Sequence, residues 1–245
     1  MNPVLKQILD TGMVSDGTKT VRLHSNMQQD EGDLIQRMIA TVKPSMTLET
    51  GMAYGVSTLY ICEALSRLPH PAKHIAIDPG QSTDWLGIGR YNVQQAGYEK
   101  MVQVIERGSE IALPRLLADG VRIGFAVIDG WHTFDHALID FFYINRMLST
   151  GGVVLFDDVN YESIHKLVRY ILNYPAYRMV GVAGTPRQPP SVLGRIRRGL
   201  SNMTLAKAIV REDLLNRPWD RGWGSCVALQ KTGPDERSFD WYVDF

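Results

Sequence analysis

The chain has few of the features that mark several large classes of protein. Its 245 residues include two cysteines, Cys62 and Cys226, too few for a disulfide scaffold or a four-cysteine zinc site. No apolar run approaches the roughly 20 residues that cross a bilayer, and the amino terminus is too polar for a secretion signal. We therefore expect a soluble protein in the reducing cytoplasm.

An excess of either charge is also missing. Lys and Arg together number 26, as do Asp and Glu, so the formal net charge is zero. Proteins that bind nucleic acids or membrane surfaces usually carry a basic excess, so we expect neither kind of partner. Hydrophobic residues make up 44% of the chain, enough for a sizeable core in one enlarged domain or two small ones.

Short apolar runs alternate with longer amphipathic stretches from residue 46 onward, which is typical of parallel strands joined by helices. The predicted strands are 46–51, 74–78, 102–106, 125–129 and 153–156, followed by a last strand at 224–230. The predicted helices are 57–68, 84–97, 109–119, 134–149 and 161–173. This succession predicts a doubly wound, Rossmann-like α/β fold that binds ligands beyond the carboxyl ends of its strands.

The two flanks of this pattern differ from it. Residues 1–45 are predicted to form a helical cap over the sheet, with the best helix at 29–42, and residues 46–245 the main domain. Residues 185–224 open with three prolines and contain eight basic against three acidic residues. This basic insertion is either a solvated segment between two late strands, a lid, an oligomer contact or a recognition element for an anionic group.

The first predicted strand runs into a glycine turn, Glu49-Thr-Gly51-Met-Ala-Tyr-Gly55-Val-Ser57, and then into a helix. A glycine turn before a helix amino terminus is typical of nucleotide sites, because the backbone approaches the ligand closely. The spacing is neither that of the three-glycine dinucleotide motif nor that of a phosphate loop. Tight strand-to-helix turns need glycine in any case, so the motif alone leaves a purely structural role open.

The next two strand ends carry polar residues that suit a nucleoside. Asp78 ends the second strand, where an acid accepts hydrogen bonds from ribose hydroxyls in related folds. Ser109 follows the third strand, and its hydroxyl is placed either to meet an adenine edge or simply to cap the following helix. Together with the glycine turn, these positions favour adenosine binding.

Three acids follow the fourth and fifth strands: Asp129, and the pair Asp157 and Asp158. Neighbouring strands lie about 4.8 Å apart, so carboxylates at their ends converge and repel unless a cation lies among them. Oxygen ligands favour Mg²⁺ or a similar hard ion. His132 shares a turn with Asp129 and is the candidate general base. The alternative is that these aspartates only cap helices or face solvent.

These motifs together resemble the class I S-adenosylmethionine-dependent methyltransferases over about 46–183. Ile128-Asp129-Gly130-x-His132 and Phe156-Asp157-Asp158-Val159 resemble the metal-dependent O-methyltransferases related to macrocin and mycinamicin sugar methyltransferases and cephalosporin-pathway proteins. The resemblance implies cofactor contacts at Glu49, Gly51, Gly55, Ser57, Asp78, Ser109 and Asp129, metal ligands at Asp129, Asp157 and Asp158, and catalytic roles for His132 and Asp129. It also implies a seven-stranded sheet.

The resemblance favours the sugar-type branch, because catechol-type enzymes have lysine where this chain has His132. Trp131 and the basic insertion depart from that branch. The implied enzyme is an O-methyltransferase that uses S-adenosylmethionine and Mg²⁺ to methylate a hydroxyl of a sugar or natural product.

Two rival functions and one question of assembly stay open. One rival is a methyltransferase-like domain without turnover that binds a cofactor or a partner protein. The other is a nicotinamide oxidoreductase, which lacks support because Tyr161 and Lys166 miss the Tyr-x-x-x-Lys spacing. The sequence leaves a homo-oligomer open.

Overall fold

The central element of the fold is a seven-stranded, mostly parallel sheet with helices on both faces. It is seen in a computed structural model of the protein, which describes residues 1–184 and 223–243. The helices are α1 Pro3–Thr11, α2 Gln29–Val42, α3 Val56–Ser66, α4 Ile88–Gln95, α5 Ser109–Ala118, α6 Phe134–Met147 and α7 Glu162–Ile171. The strands are β1 Met13–Ser15, β2 Thr20–Arg22, β3 Met46–Thr50, β4 Lys73–Ile77, β5 Val102–Ile105, β6 Ile123–Ile128, β7 Leu148–Phe156, β8 Tyr177–Ala183 and β9 Cys226–Lys231.

The sheet has the order β5-β4-β3-β6-β7-β9-β8, and β9 runs antiparallel to both of its neighbours. The first two strands form a separate small hairpin. The doubly wound fold with seven strands is therefore confirmed. Its strand order reverses between β3 and β6, where Thr50 pairs with Ile128, so the carboxyl ends of these two strands flank the crevice in which such folds bind ligands.

Both faces of the sheet are buried, as continuous apolar strands predict. Along β6, Phe125 and Val127 belong to the core cluster that includes α2 and α3, whereas Ala126 and Ile128 belong to the cluster that includes α5, α6 and α7. Successive side chains of a strand point to opposite faces, so one strand contributes to both cores. This burial fixes the strand ends that carry the site.

The predicted helices and strands of the main domain are found with small changes at their ends. The sequence analysis did not predict β8. It also did not predict the hairpin of β1 and β2, so residues 1–45 are not helical throughout, contrary to the prediction. The 29–42 helix is confirmed, and it packs against α3 and the strands β6, β7 and β8. Residues 185–222, most of the predicted basic insertion, lie outside the described residues.

None of the helices in the described ranges is both long enough and apolar enough to span a bilayer.

Candidate functional site

A large cavity opens at the carboxyl edge of the sheet, at the point where the strand order reverses. Its volume is about 880 Å³, within the range of roughly 300–1,000 Å³ that is usual for small-molecule sites. The cavity is lined by residues that follow β3, β4, β5, β6 and β7, together with residues around the start of α2. The position is the one that the doubly wound fold predicts for a ligand.

Gly51 lines the cavity at a place where two loops approach closely. It has a φ of +85°, which favours glycine. A Cβ at this position would lie 2.0 Å from the main-chain oxygen of Asp129, on the neighbouring loop. The close approach of the two loops therefore requires glycine at position 51, whether or not a ligand is bound.

Glu49, Gly55 and Ser57 do not line the cavity, in contrast to Gly51. The Glu49 side chain is fully buried, accepts a hydrogen bond of 2.8 Å from the Ser57 hydroxyl and lies 3.0 Å from Nε2 of His74. A Cβ at Gly55 would meet the carbonyl oxygen of Gly89 at 3.2 Å. The three residues therefore lie behind the loop that lines the cavity, and their cofactor contacts stay predictions from the sequence.

Asp78 lines the cavity as predicted, but its carboxylate is already bonded within the protein. Oδ2 accepts hydrogen bonds from the backbone N–H groups of Met52 at 3.0 Å and Ala53 at 2.7 Å. Oδ1 accepts one from the N–H of Gly80 at 2.8 Å. Asp78 therefore holds the glycine turn against the end of β4, and a ribose hydroxyl would have to share these oxygens.

Ser109 is the first residue of α5, directly after the N-cap residue Gly108, and it lines the cavity. Glu110 lines it as well, and its carboxylate lies where a Cβ at Gly108 would be, 2.3 Å away. Gly108 thus leaves room for an acidic side chain at the cavity wall. A hydroxyl and a carboxylate at this place provide hydrogen-bond acceptors for an amino group of a ligand.

Asp129, His132 and Asp158 converge at the wall of the cavity. Each of them offers one ligand atom, and the three atoms lie within 4.8 Å of one another. Nε2 of His132 is 2.9 Å from Oδ2 of Asp158 and 3.8 Å from Oδ1 of Asp129, and neither contact has the geometry of a hydrogen bond. Oxygen and imidazole donors in this arrangement fit a divalent cation.

The charges in this group depend on each other. Burial raises the pKa of Asp129 to about 6, against the opposing effect of His132. The carboxylates of Asp129 and Asp158 raise the pKa of His132 to about 10. Without a cation, the imidazolium of His132 is thus the counter-charge of the two aspartates. A general base must be neutral, so His132 acts as one only when these carboxylates no longer hold its proton.

Asp157 is not part of this group of three, although it lines the same cavity. It is buried, and its Oδ1 accepts a hydrogen bond of 2.8 Å from the N–H of Asp158. Burial first, and then the charge of Asp129, raise its pKa well above the usual value. Asp158 itself has a φ of +53°, unusual for a residue other than glycine and typical of functional loops.

Several cavity residues were not predicted from the sequence. Tyr161 stacks on His132, with ring centroids 5.0 Å apart and planes 15° apart. Trp131 lines the cavity while 68% exposed, and Trp85 lines it from the segment before α4. Glu31 reaches it from α2 and accepts a hydrogen bond from the Ser225 hydroxyl. Trp131 is the variable position of the Ile-Asp-Gly-x-His motif, and the other three residues lie outside the quoted motifs, so the folded chain was needed to place all four at the cavity.

Part of the chain is similar in sequence to known methyltransferases. Residues 48–159 match the family model of a methyltransferase domain. Catechol O-methyltransferase B of Danio rerio is 27% identical over 62% of this chain and 57% of its own length. Caffeoyl-CoA O-methyltransferase of Stellaria longipes is 31% identical over 52% of this chain and 51% of its own length. Rhamnosyl O-methyltransferase of Mycobacterium tuberculosis is 24% identical over 58% of this chain and 58% of its own length. The chain thus spans little more than half the length of these curated relatives.

Solved structures show the same fold. An O-methyltransferase from Bacillus cereus in complex with S-adenosylhomocysteine superposes with a TM-score of 0.63, covering 94% of this chain and 91% of the other at 13% identity. An O-methyltransferase of tomaymycin synthesis from Streptomyces achromogenes, in complex with S-adenosylmethionine, superposes with a TM-score of 0.58. The match covers 85% of this chain and 82% of the other at 14% identity.

Residues 48–159 are thus similar to a methyltransferase domain, and the chain shares the fold of solved O-methyltransferases. The matched relatives include catechol, caffeoyl-CoA and rhamnosyl O-methyltransferases, so they do not single out the macrocin branch.

Proposed function

We propose that the protein transfers the methyl group of S-adenosylmethionine to a hydroxyl of a small molecule, of sugar or natural-product type, with the help of Mg²⁺ or a similar ion. The observation that carries this proposal is the convergence of Asp129, His132 and Asp158 at the cavity, within 4.8 Å. A cytoplasmic location and a homo-oligomeric state remain predictions from the sequence.

The residues that line the cavity fit both a divalent cation and S-adenosylmethionine. The cavity volume of about 880 Å³ suffices for cofactor and acceptor side by side. Seven of its lining residues are acidic: Glu31, Asp78, Asp84, Glu110, Asp129, Asp157 and Asp158. Crowded carboxylates are costly unless a positive charge compensates them, so a divalent ion and a cationic sulfonium both suit this environment.

Each residue of the group has a definite part in the proposed reaction. Asp129 and Asp158 would hold the ion, with Asp157 bracing the backbone of Asp158 from behind. A bound divalent ion lowers the pKa of a coordinated hydroxyl and stabilises its oxyanion, and the sulfonium carries the transferable methyl group. Nε2 of His132 receives the proton of the acceptor hydroxyl. Tyr161 fixes the plane of that imidazole by stacking, so alignment provides much of the rate.

The proposal is tested by a methyl-transfer assay with labelled S-adenosylmethionine, Mg²⁺ and a panel of catechols, sugars and polyketide alcohols. We expect turnover that is lost in excess EDTA and in Asp158→Ala, while calorimetry still detects binding of S-adenosylhomocysteine. Full activity in EDTA would remove the ion from the proposal. Binding of S-adenosylhomocysteine without turnover on any acceptor would favour the silent cofactor-binding domain, and binding of NAD⁺ instead would favour the oxidoreductase.

A further inference from the structure

A ring nitrogen of His132 lies where a third ligand of the ion would lie. Its Nε2 atom is 2.9 Å from Oδ2 of Asp158 and 3.8 Å from Oδ1 of Asp129. Two donor atoms that bind one ion at about 2.1 Å lie about 3.0 Å apart when their bonds are at right angles, and never more than about 4.2 Å apart. Both distances from Nε2 agree with this geometry.

The contact differs from that of an ordinary ion pair. Nε2 is itself buried and makes no hydrogen bond, although the His132 side chain is 36% exposed. An imidazolium that only balances two carboxylates gains most by directing its N–H at one of them, because charge-assisted hydrogen bonds are strong. A nitrogen that shares an ion with the same oxygens directs its lone pair at the ion. A short distance without hydrogen-bond geometry therefore favours coordination.

The imidazole is held in place by two residues outside the group of three. Tyr161 stacks on the His132 ring, with centroids 5.0 Å apart and planes 15° apart. The hydroxyl of Ser163, on α7, donates a hydrogen bond to the carbonyl oxygen of His132 and so fixes the turn that carries the ring. Residues that orient a metal ligand contribute to the affinity for the ion, so this support suits a ligand.

The sequence resemblance implies a different third ligand, Asp157. In the structure, Oδ1 of Asp157 accepts a hydrogen bond of 2.8 Å from the N–H of Asp158, and Asp157 is not in the group whose donor atoms lie within 4.8 Å. Three carboxylates suit Mg²⁺, whereas an imidazole nitrogen suits transition-metal ions such as Fe²⁺, Ni²⁺ and Zn²⁺. The identity of the third ligand therefore determines which ion the site prefers.

We propose that Nε2 of His132 binds the ion together with Asp129 and Asp158, and that the site therefore prefers a first-row transition-metal ion to Mg²⁺. The inference rests on the proposed function, since it concerns the ion of that reaction. A ring nitrogen bound to an ion has no lone pair left for a proton. In the proposed reaction, the acceptor oxygen therefore has to take the place of Nε2 at the ion before His132 receives the proton.

Pulsed electron paramagnetic resonance tests the ligand, with Mn²⁺ as the paramagnetic probe. We expect a coupling between the electron spin of Mn²⁺ and a ring nitrogen in the native protein. His132→Phe keeps a ring that can stack on Tyr161 but lacks the nitrogen, so the coupling should disappear. His136→Phe is the matched control, because His136 lies in the first turn of α6, is 40% exposed and is outside the group of three. In this control the coupling should remain.

Titration calorimetry with Co²⁺ and Mg²⁺ tests the choice of ion. We expect the native protein to prefer Co²⁺, and the ratio of the Co²⁺ affinity to the Mg²⁺ affinity to fall by about tenfold or more in His132→Phe. The ratio is the informative quantity, since the loss of an imidazole charge alters the binding of both cations alike. His136→Phe should leave the ratio unchanged. If His132→Phe fails to fold, His132→Gln removes the same nitrogen and should give the same two results.

The outcomes separate the two proposals. Mn²⁺ that binds without a nitrogen coupling, a coupling that persists in His132→Phe, or an unchanged ratio overturns the role of His132 as a ligand. Each of these results leaves the proposed function intact, with oxygen ligands alone. A native protein that binds none of the three ions overturns both proposals.

Discussion

Gly51 and Asp129 meet backbone to backbone: a Cβ on the glycine would lie 2.0 Å from the main-chain oxygen of the aspartate. Gly51 directly follows β3 and begins the predicted cofactor loop, and Asp129 begins the loop that carries the candidate cation group. The two strands are neighbours at the point where the sheet order reverses. One contact therefore sets the distance between the two halves of the site.

The Gly51→Ala substitution should disrupt this contact. The new methyl group would meet a main-chain oxygen and strain a φ of +85°, so we expect a loss of about 2–4 kcal/mol of stability and weakened binding of S-adenosylhomocysteine. Denaturant unfolding and calorimetry measure the two effects. Gly97→Ala is the matched control, since it has a φ of +79° and open space around it, and should cost about 1 kcal/mol. Equal losses in the two variants would contradict the argument.

The sequence predicted where the strands end but not where every side chain points. Asp129 and Asp158 follow two adjacent strands, and pairing of β6 with β7 is sufficient to bring them together. Glu49 lies in a strand whose residues from Thr47 onward are all buried, so no alternation indicates which face of the sheet it joins. The predictions for Glu49 and Ser57 relied on their position in the motif, whereas the structure turns both side chains toward each other.

Asp78 shows a second limit of the sequence. The sequence placed this acid after the second predicted strand, and in the structure it directly follows β4 and lines the cavity. Three backbone N–H groups occupy its oxygens, and this depends on loop conformations that a motif does not encode. The strand β8 was missed for a different reason, because Arg178 and Gly181 interrupt its apolar pattern.

The buried pair of Glu49 and His74 should contribute strongly to stability. Both side chains are fully buried, and the two ring nitrogens of His74 lie 3.0 Å from Glu49 and 2.8 Å from the Thr47 hydroxyl. His74→Leu leaves a buried carboxylate with fewer partners, so we expect a loss of about 3–5 kcal/mol in urea unfolding. The double variant with Glu49→Leu should lose less than the sum of the single variants. Strict additivity would show that the two residues do not interact.

Trp131 should affect the acceptor and not the fold. Its side chain is 68% exposed yet lines the cavity next to His132. Trp131→Ala removes little buried surface, so we expect an unchanged melting temperature and an unchanged affinity for S-adenosylhomocysteine. The KM for the acceptor should rise about tenfold, because a large apolar contact of the bound acceptor is lost. Phe239→Ala, at a fully exposed position outside the cavity lining, should change none of these quantities, and an unaltered acceptor KM in Trp131→Ala would contradict the prediction.

The hydrogen bonds of Asp235 should make the stability of the protein decrease at acid pH. Asp235 accepts two hydrogen bonds from the Arg237 guanidinium, at 2.6 and 2.7 Å, and one of 2.9 Å from Asn145. The Arg237 side chain in turn lies 3.3 Å over the Tyr174 ring. These bonds lower the pKa of Asp235 below its usual value of 3.8, mainly through Arg237. The folded state therefore favours the ionised carboxylate more than the unfolded state does.

A group whose pKa is lower in the folded state stabilises the fold above its unfolded pKa and loses that contribution as the pH falls. We expect Asp235→Asn to cost about 1–2 kcal/mol in urea unfolding at neutral pH. The difference from the native protein should shrink steadily as the pH falls below about 4, since Asp235 then becomes protonated in both states. Asp119→Asn, at an exposed position directly after α5, is the matched surface substitution and should change the free energy of unfolding by less than about 0.5 kcal/mol at neutral pH. A difference for Asp235→Asn that stays constant down to pH values of about 2 would mean that packing, and not the charge of the carboxylate, holds these residues in place.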